Sequence, residues 1–145
     1  MIEKTWNKAF LTNDNIAFLI KDLGELIRPN KDKYKMIVGI PRGGMIIAVW
    51  LSHQLNIQLI DGFNSLYDWY CDIHNPERIL IVDDIVDTGK TLQELKDNGI
   101  ICDTAALHYK PRSIIKPTYF SKEVENDLWV SYPWERDDEV PNREV

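Results

Sequence analysis

The run Ile79-Leu80-Ile81-Val82-Asp83-Asp84-Ile85-Val86-Asp87-Thr88-Gly89-Lys90-Thr91 constrains this chain more than any other stretch. Its first four residues are apolar without alternation, which describes a strand covered on both faces, as in a parallel α/β sheet. The carboxylates of Asp83 and Asp84 then emerge at the carboxyl end of that strand, where open α/β sheets bind their ligands. Asp87, Thr88, Gly89, Lys90 and Thr91 form a turn, and Leu92, Leu95 and Lys96 continue it as a helix whose first turn leaves N–H groups free. A phosphate fits such a turn. Adjacent carboxylates accept hydrogen bonds from two vicinal hydroxyls and anchor a hard cation, so a phosphorylated sugar with Mg²⁺ is the chemistry that suits this order.

Two other phosphate chemistries are excluded. A Walker A loop ending in Gly89-Lys90-Thr91 needs a glycine where Asp84 stands. The acidic pocket of a receiver domain begins on the first strand, and too little chain follows Asp84 for that arrangement.

The remaining chain repeats the strand-turn-helix order. Tyr34 to Ile40 reads as an apolar strand, followed by Pro41-Arg42-Gly43-Gly44 and an apolar helical run from Met45 to Leu55. Glycines admit a ligand close to the backbone and Arg42 adds a fixed cation, so Arg42, Gly43 and Gly44 suit a pyrophosphate group. Ala105 to His108 reads as a short strand ending in Tyr109-Lys110-Pro111. This places an ammonium, with three donors and no acceptor, at the same edge, where it favours a carbonyl over an amino group on a ligand. Leu128-Trp129-Val130-Ser131-Tyr132-Pro133-Trp134 joins a strand to two tryptophans, of which Trp129 is the candidate for stacking on a base. Asp14 to Ile27 has helical spacing, with Thr12 or Asn13 as cap and Pro29 beyond its end. Ile57 to Ile60 reads as a short strand, and Gly99 is placed to stop the helix before the strand near Thr104. Strands alternating with helices imply a parallel sheet with right-handed crossovers.

The segment from Ile79 to Thr91 resembles the phosphoribosyl pyrophosphate signature of the type I phosphoribosyltransferases. Lys-Pro followed by Trp-x-x-x-Pro-Trp, together with Ser65-Leu66-Tyr67-Asp68, is most similar to the xanthine-guanine branch, whereas Asp-Thr-Gly-Lys-Thr is similar to the hypoxanthine-guanine enzymes. The resemblance implies an α/β fold of the type I phosphoribosyltransferase kind: a parallel sheet flanked by helices with a small hood region, over residues 1–134. It implies that Asp83 and Asp84 hold the ribose hydroxyls and Mg²⁺, and that Asp87, Thr88, Gly89, Lys90 and Thr91 cradle the 5′-phosphate. Asp87 would face N7 of the base and Arg42, Gly43 and Gly44 would bind pyrophosphate across a cis Pro41-Arg42 peptide. Lys110, Trp129 and Val130 would meet the base, and Ser65 and Tyr67 would lie in a mobile loop, shorter here than in that branch. The implied substrates are phosphoribosyl pyrophosphate and guanine, xanthine or hypoxanthine, in a dimer or tetramer. The alternatives are a nucleotide-sensing regulator of the same fold without catalysis, or a transferase for a different base.

Length and charge fit one domain with a tail. The 145 residues are 44% hydrophobic, enough for one core. Eight acidic and three basic residues lie from Ser121 to Val145, a net of −5 out of the total −6, so residues 135–145 read as an acidic C-terminal tail. With no basic face, nucleic acid is not an expected partner. No apolar stretch approaches the roughly 20 residues needed to span a bilayer, and the N-terminus lacks an apolar signal core, so no membrane association and a cytosolic location are expected. Cys71 and Cys102 have no metal spacing and are expected as thiols. His53, His74 and His108 build no metal site or triad.

Overall fold

The acidic run lies on the middle strand of a five-stranded parallel sheet ordered β3-β2-β4-β5-β6. The strands are β2 (Met36–Gly39), β3 (Gln58–Leu59), β4 (Ile79–Val86), β5 (Asp103–Tyr109) and β6 (Tyr119–Glu123). The computed structural model describes residues 7–60, 62, 79–100 and 102–135. The expected positions Ser65 and Tyr67, Cys71, His74 and residues 136–145 of the tail lie outside them. A separate two-stranded parallel sheet, here termed the hood, pairs β1 (Asn7–Phe10) with β7 (Leu128–Ser131).

The unalternated apolar run of β4 is explained by helices on both faces. Leu80 and Val82 enter one core with Ile16, Ile20, Leu23 and Ile27 of α1 (Asn13–Ile27) and Ile47, Leu51 and Leu55 of α2 (Gly43–Leu55). Ile79 and Ile81 enter the opposite core with Leu92 and Leu95 of α3 (Lys90–Asp97). None of the four strand residues is more than 1% exposed. Burial of each such side chain contributes about 1.5–3 kcal/mol, so pairing β4 between two helical layers is the dominant local preference.

Helix boundaries follow local chemistry. Thr12 Oγ1 accepts from the Asn15 N–H at 3.1 Å while Asn15 Oδ1 accepts from the Thr12 N–H at 3.0 Å, a reciprocal cap at the start of α1. Pro29 follows in a 3₁₀ turn, Arg28–Lys33. At the end of α3 the Gly99 N–H reaches Lys96 O and the Ile100 N–H reaches Leu95 O, both at 3.0 Å, with Gly99 at φ 82°. This is the glycine stop expected from the sequence.

Several expectations differ in detail. The strand read from Tyr34 to Ile40 shortens to β2, because Tyr34 leaves the ladder and its hydroxyl bonds Asp103 on β5 and Tyr119 on β6. The strand read from Ile57 to Ile60 shortens to β3, and the helix read from Met45 starts earlier, at Gly43. β4 runs past Val82 to Val86, since β5 continues to pair with it at Asp83, Ile85 and Val86 after β2 has ended opposite Val82. Strands and helices do not alternate throughout: β5 passes to β6 through a non-helical loop containing Pro111 and Pro117, residues that interrupt a helix.

Among the described residues no helix is long and apolar enough to cross a membrane. Cys102 is a half-buried free thiol whose pKa is pushed up to about 12 by burial and then by the charge of Asp103.

Candidate active site

Where β2 stops, the end of β4 loses a strand neighbour on one side and its polar residues find other partners. Asp83 Oδ1 accepts from the Asp84 N–H at 2.8 Å, and Asp84 Oδ1 accepts from the Ile85 N–H at 2.9 Å. Each carboxylate therefore takes the amide of the next residue and keeps acceptor capacity for a ligand. Burial, and next the charge of Asp84, hold the Asp83 carboxyl well above the usual carboxylate range.

The N-terminus of α2 packs directly on this strand end. A Cβ on Gly43 would stand 2.2 Å from Asp84 Oδ2, and one on Gly44 would stand 2.3 Å from Val82 O. Only glycine permits this approach, which brings the first turn of a helix with no side-chain cap beside the acidic pair. The Pro41–Arg42 peptide is cis. Pro41, Arg42, Gly43 and Ile46 line a cavity of about 360 Å³ with Asp83, Asp84, Trp134 and Glu135. The positive end of a helix and an arginine thus share a cavity with two carboxylates.

A second depression, of about 100 Å³, is lined by Asp83, Asp87, Thr88, Gly89, Lys90 and Thr91 among others. Gly89 adopts φ 81° and caps α3. The β5–β6 loop supports this turn from behind: the Ile114 N–H donates to Thr88 O at 3.0 Å, and a Cβ added at Gly89 would meet Ser113 Oγ at 2.4 Å. The opening turn of α3 supplies N–H donors with no intrahelical acceptor.

Lys110 follows β5 at the same edge, 6% exposed, with Nζ 3.6 Å from Asp87 Oδ2. Arg112, which the sequence reading did not single out, donates from Nε to Asp87 Oδ1 at 2.7 Å. The only sequence signal for it was the spacing of two from Lys110, which in extended chain puts both cations on one side.

The two tryptophans of this segment lie in different places. Trp134 lines the larger cavity and stacks on Tyr132, ring centroids 4.9 Å apart and planes 7° from parallel. Trp129 is not among the walls of that cavity. It lies half-exposed on β7, opposite Lys8 in register. The Val130 side chain is buried in the α1–α2 core. The Leu11 N–H donates to Ser131 O at 3.0 Å, so Ser131 faces β1, and alternation turns the Val130 backbone groups toward the open edge of β7.

Asp83 and Asp84 suit a divalent cation, since two adjoining carboxylates, one of them resisting ionisation beside the other, gain most from a shared positive charge. Among the described residues there is no group of three or more acidic, histidine or cysteine side chains that could hold a metal. An ion at this pair would draw its remaining oxygens from substrate and water.

No family model matches the chain. It is 34% identical over 142 residues to the xanthine-guanine phosphoribosyltransferase of Desulfotalea psychrophila, covering 90% of this chain and 84% of that protein. It is 31% identical over 145 residues to the same-named protein of Cereibacter sphaeroides, with equal coverage. Its fold superposes on the crystal structure of a purine phosphoribosyltransferase from Pyrococcus horikoshii with TM-score 0.73 and 30% identity, over 95% of this chain and 99% of that one. Identity of this extent along most of both sequences, carried on a parallel sheet that superposes nearly end to end, makes the chain a member of the xanthine-guanine phosphoribosyltransferase family.

Proposed function

We propose that this purine phosphoribosyltransferase moves a 5-phosphoribosyl group from phosphoribosyl pyrophosphate to N9 of a 6-oxopurine, guanine, xanthine or hypoxanthine, releasing pyrophosphate. The observation that carries the base preference is the edge shared by Lys110 and Asp87, whose Nζ and Oδ2 are 3.6 Å apart beside the phosphate turn. An ammonium donates to a 6-oxo oxygen but has nothing to accept from a 6-amino group. A neighbouring carboxylate accepts the proton that the imidazole ring of the base gives up.

In this reading the turn from Asp87 to Thr91 binds the 5′-phosphate and the carboxylates of Asp83 and Asp84 take the ribose hydroxyls. Arg42 and the first turn of α2 face the pyrophosphate. The C1′–O bond to pyrophosphate breaks as the N9–C1′ bond forms, so positive charge develops on the ribose and negative charge on the leaving group. Arg42 and the helix N–H groups stabilise the second, and Asp87 receives the base proton. Mg²⁺ held by Asp83 and Asp84 would add charge neutralisation to the pyrophosphate oxygens. Trp129 and the outward backbone of Val130 belong to the base subsite in this reading, which their position on the open hood strand supports. Met45, Ile46, Val49 and Trp50 leave an exposed apolar face on α2, which supports self-association.

The test is a spectrophotometric assay with phosphoribosyl pyrophosphate, Mg²⁺ and guanine, xanthine, hypoxanthine or adenine in parallel. Turnover of the 6-oxopurines with little for adenine is expected. Efficient adenine use would overturn the role of Lys110. Binding of phosphoribosyl pyrophosphate with no turnover of any base would replace the enzyme reading with that of a sensor.

A further inference from the structure

Behind the acidic strand end lies a buried polar pair that the transfer reaction does not use. His108 on β5 is 3% exposed and Tyr132, just after β7, is also 3% exposed. His108 Nδ1 and Tyr132 Oη are 2.8 Å apart, and Tyr132 Oη donates to the backbone oxygen of Asp84 at 3.2 Å. With the phenol proton directed to Asp84, the partner that satisfies the oxygen is an Nδ1–H of neutral imidazole. Burial, and then the charge of Lys122, lowers the His108 pKa to about 4, which keeps the ring neutral at ordinary pH.

The carbonyl of Asp84 is one the sheet leaves over. β2 ends with Gly39 opposite Val82, and the β4–β5 register passes from Asp83–Ala106 to Ile85–His108 without Asp84. A part-buried backbone oxygen without a ladder partner needs one from elsewhere, and the Tyr132 phenol supplies it. The following N–H, of Ile85, is held by the Asp84 carboxylate itself. Motion of this peptide therefore moves the carboxylate with it. The same tyrosine ring stacks on Trp134, a wall of the cavity that Asp84 lines. One side chain from the hood thus bears on two walls of the site.

We propose that Tyr132, oriented by His108, is a positioning residue that fixes the Asp84 carboxylate and the Trp134 wall for phosphoribosyl pyrophosphate. The proposal rests on the reading of the site as a phosphoribosyl pyrophosphate site. Tyr132→Phe keeps the ring on Trp134 and removes the hydroxyl from Asp84. His108→Leu removes the donor that orients the hydroxyl, and His108→Asn restores a short N–H donor near the Nδ1 position.

The experiment measures the dissociation constant of phosphoribosyl pyrophosphate by calorimetry, its KM, and the KM of guanine, with melting temperature as a check on folding. Tyr132→Phe and His108→Leu are expected to weaken phosphoribosyl pyrophosphate binding about fivefold to tenfold, the scale of one lost buried hydrogen bond. The guanine KM should stay within about twofold, and His108→Asn should recover most of the affinity; a purely structural role would not divide the two substrates in this way. If Tyr132→Phe fails to fold, the histidine pair of variants decides. Unchanged phosphoribosyl pyrophosphate affinity in the folded variants, or an equal loss for both substrates, overturns the positioning role while leaving the transferase reading intact. Wild-type protein that binds phosphoribosyl pyrophosphate but turns over no base removes the transferase reading and leaves the positioning role to be judged on binding. Wild-type protein that does not bind it overturns both.

Discussion

Arg112 closes on Asp87 from the turn after β5, its Nε 2.7 Å from Oδ1, while Lys110 Nζ stands 3.6 Å from Oδ2. The arginine occupies one oxygen and leaves the other facing Lys110. Asp87→Asn keeps the shape but removes the proton acceptor. It is expected to lower kcat about 100-fold with phosphoribosyl pyrophosphate affinity nearly intact, the scale of lost general-base assistance. Arg112→Gln frees the carboxylate without removing it and should lower kcat about tenfold. Steady-state kinetics with guanine check both, and an unchanged kcat in Asp87→Asn would remove this residue from the chemistry.

Lys110 is buried, so replacing it with an apolar side chain of similar length preserves packing while removing the donor. Lys110→Met should reduce kcat/KM for guanine and hypoxanthine about 10- to 100-fold, the worth of a charged hydrogen bond. Activity with adenine should change little, so the ratio between the bases is the quantity to follow. A uniform loss across all bases would count against base reading.

The two glycines at the start of α2 should fail differently. A methyl at Gly44 meets the backbone oxygen of Val82, which cannot move without distorting the sheet. Gly44→Ala is expected to destabilise the fold by about 3 kcal/mol. A methyl at Gly43 meets only the side chain of Asp84, which can rotate. Gly43→Ala should therefore keep most of its stability while losing about tenfold in phosphoribosyl pyrophosphate affinity, as Asp84 is turned from its place. Denaturant melts and calorimetry on the same two proteins separate the effects.

His108 makes stability depend on acid. Its folded pKa is lowered to about 4 from an ordinary 6.5, so between these values the unfolded chain takes up a proton that the fold refuses. Stability is lost as pH falls through that window, with no further loss below it. Asp83 acts in the opposite sense, because its folded pKa is raised and its contribution is lost as pH rises. The informative quantity is therefore a difference: His108→Asn should gain about 2 kcal/mol on the wild-type protein between pH 7 and pH 4.5. Urea unfolding at the two pH values measures it, and parallel pH curves would show that His108 titrates normally.

The parts of the fold that sequence disclosed are those with one-dimensional signatures. The run from Ile79 to Val82 demanded cover on both faces, Thr12 or Asn13 marked a helix start, and Gly99 marked a helix end. The extension of β4 through Asp83 and Asp84 was not legible, because it depends on how far β5 continues alongside and on carboxylates binding their own backbone. That Trp134 lines the cavity was not legible either, since it depends on the turn after Tyr132 folding the indole back on the phenol. The pairing of His108 with Tyr132 has no local pattern at all, joining a strand of one sheet to the residue just after a strand of the other. Asp83, Asp84, Asp87, Arg42 and Lys110 could be singled out in the sequence because each lies close to the carboxyl end of a strand or the start of a helix, where parallel-sheet topology concentrates ligand chemistry.

The hood has a consequence for how the molecule comes into being. β1 precedes every other described element and β7 follows them all, yet the two form one ladder from Asn7–Leu128 to Phe10–Ser131. During synthesis β1 waits for its partner until all five strands of the larger sheet have been made, because β7 follows them in the chain. The phosphate turn on β4 and the arginine turn before α2 can assemble earlier, from segments nearer in sequence. The hood is thus completed after the five-stranded sheet, and a nascent chain stopped short of Leu128 would carry that sheet with β1 still unpaired.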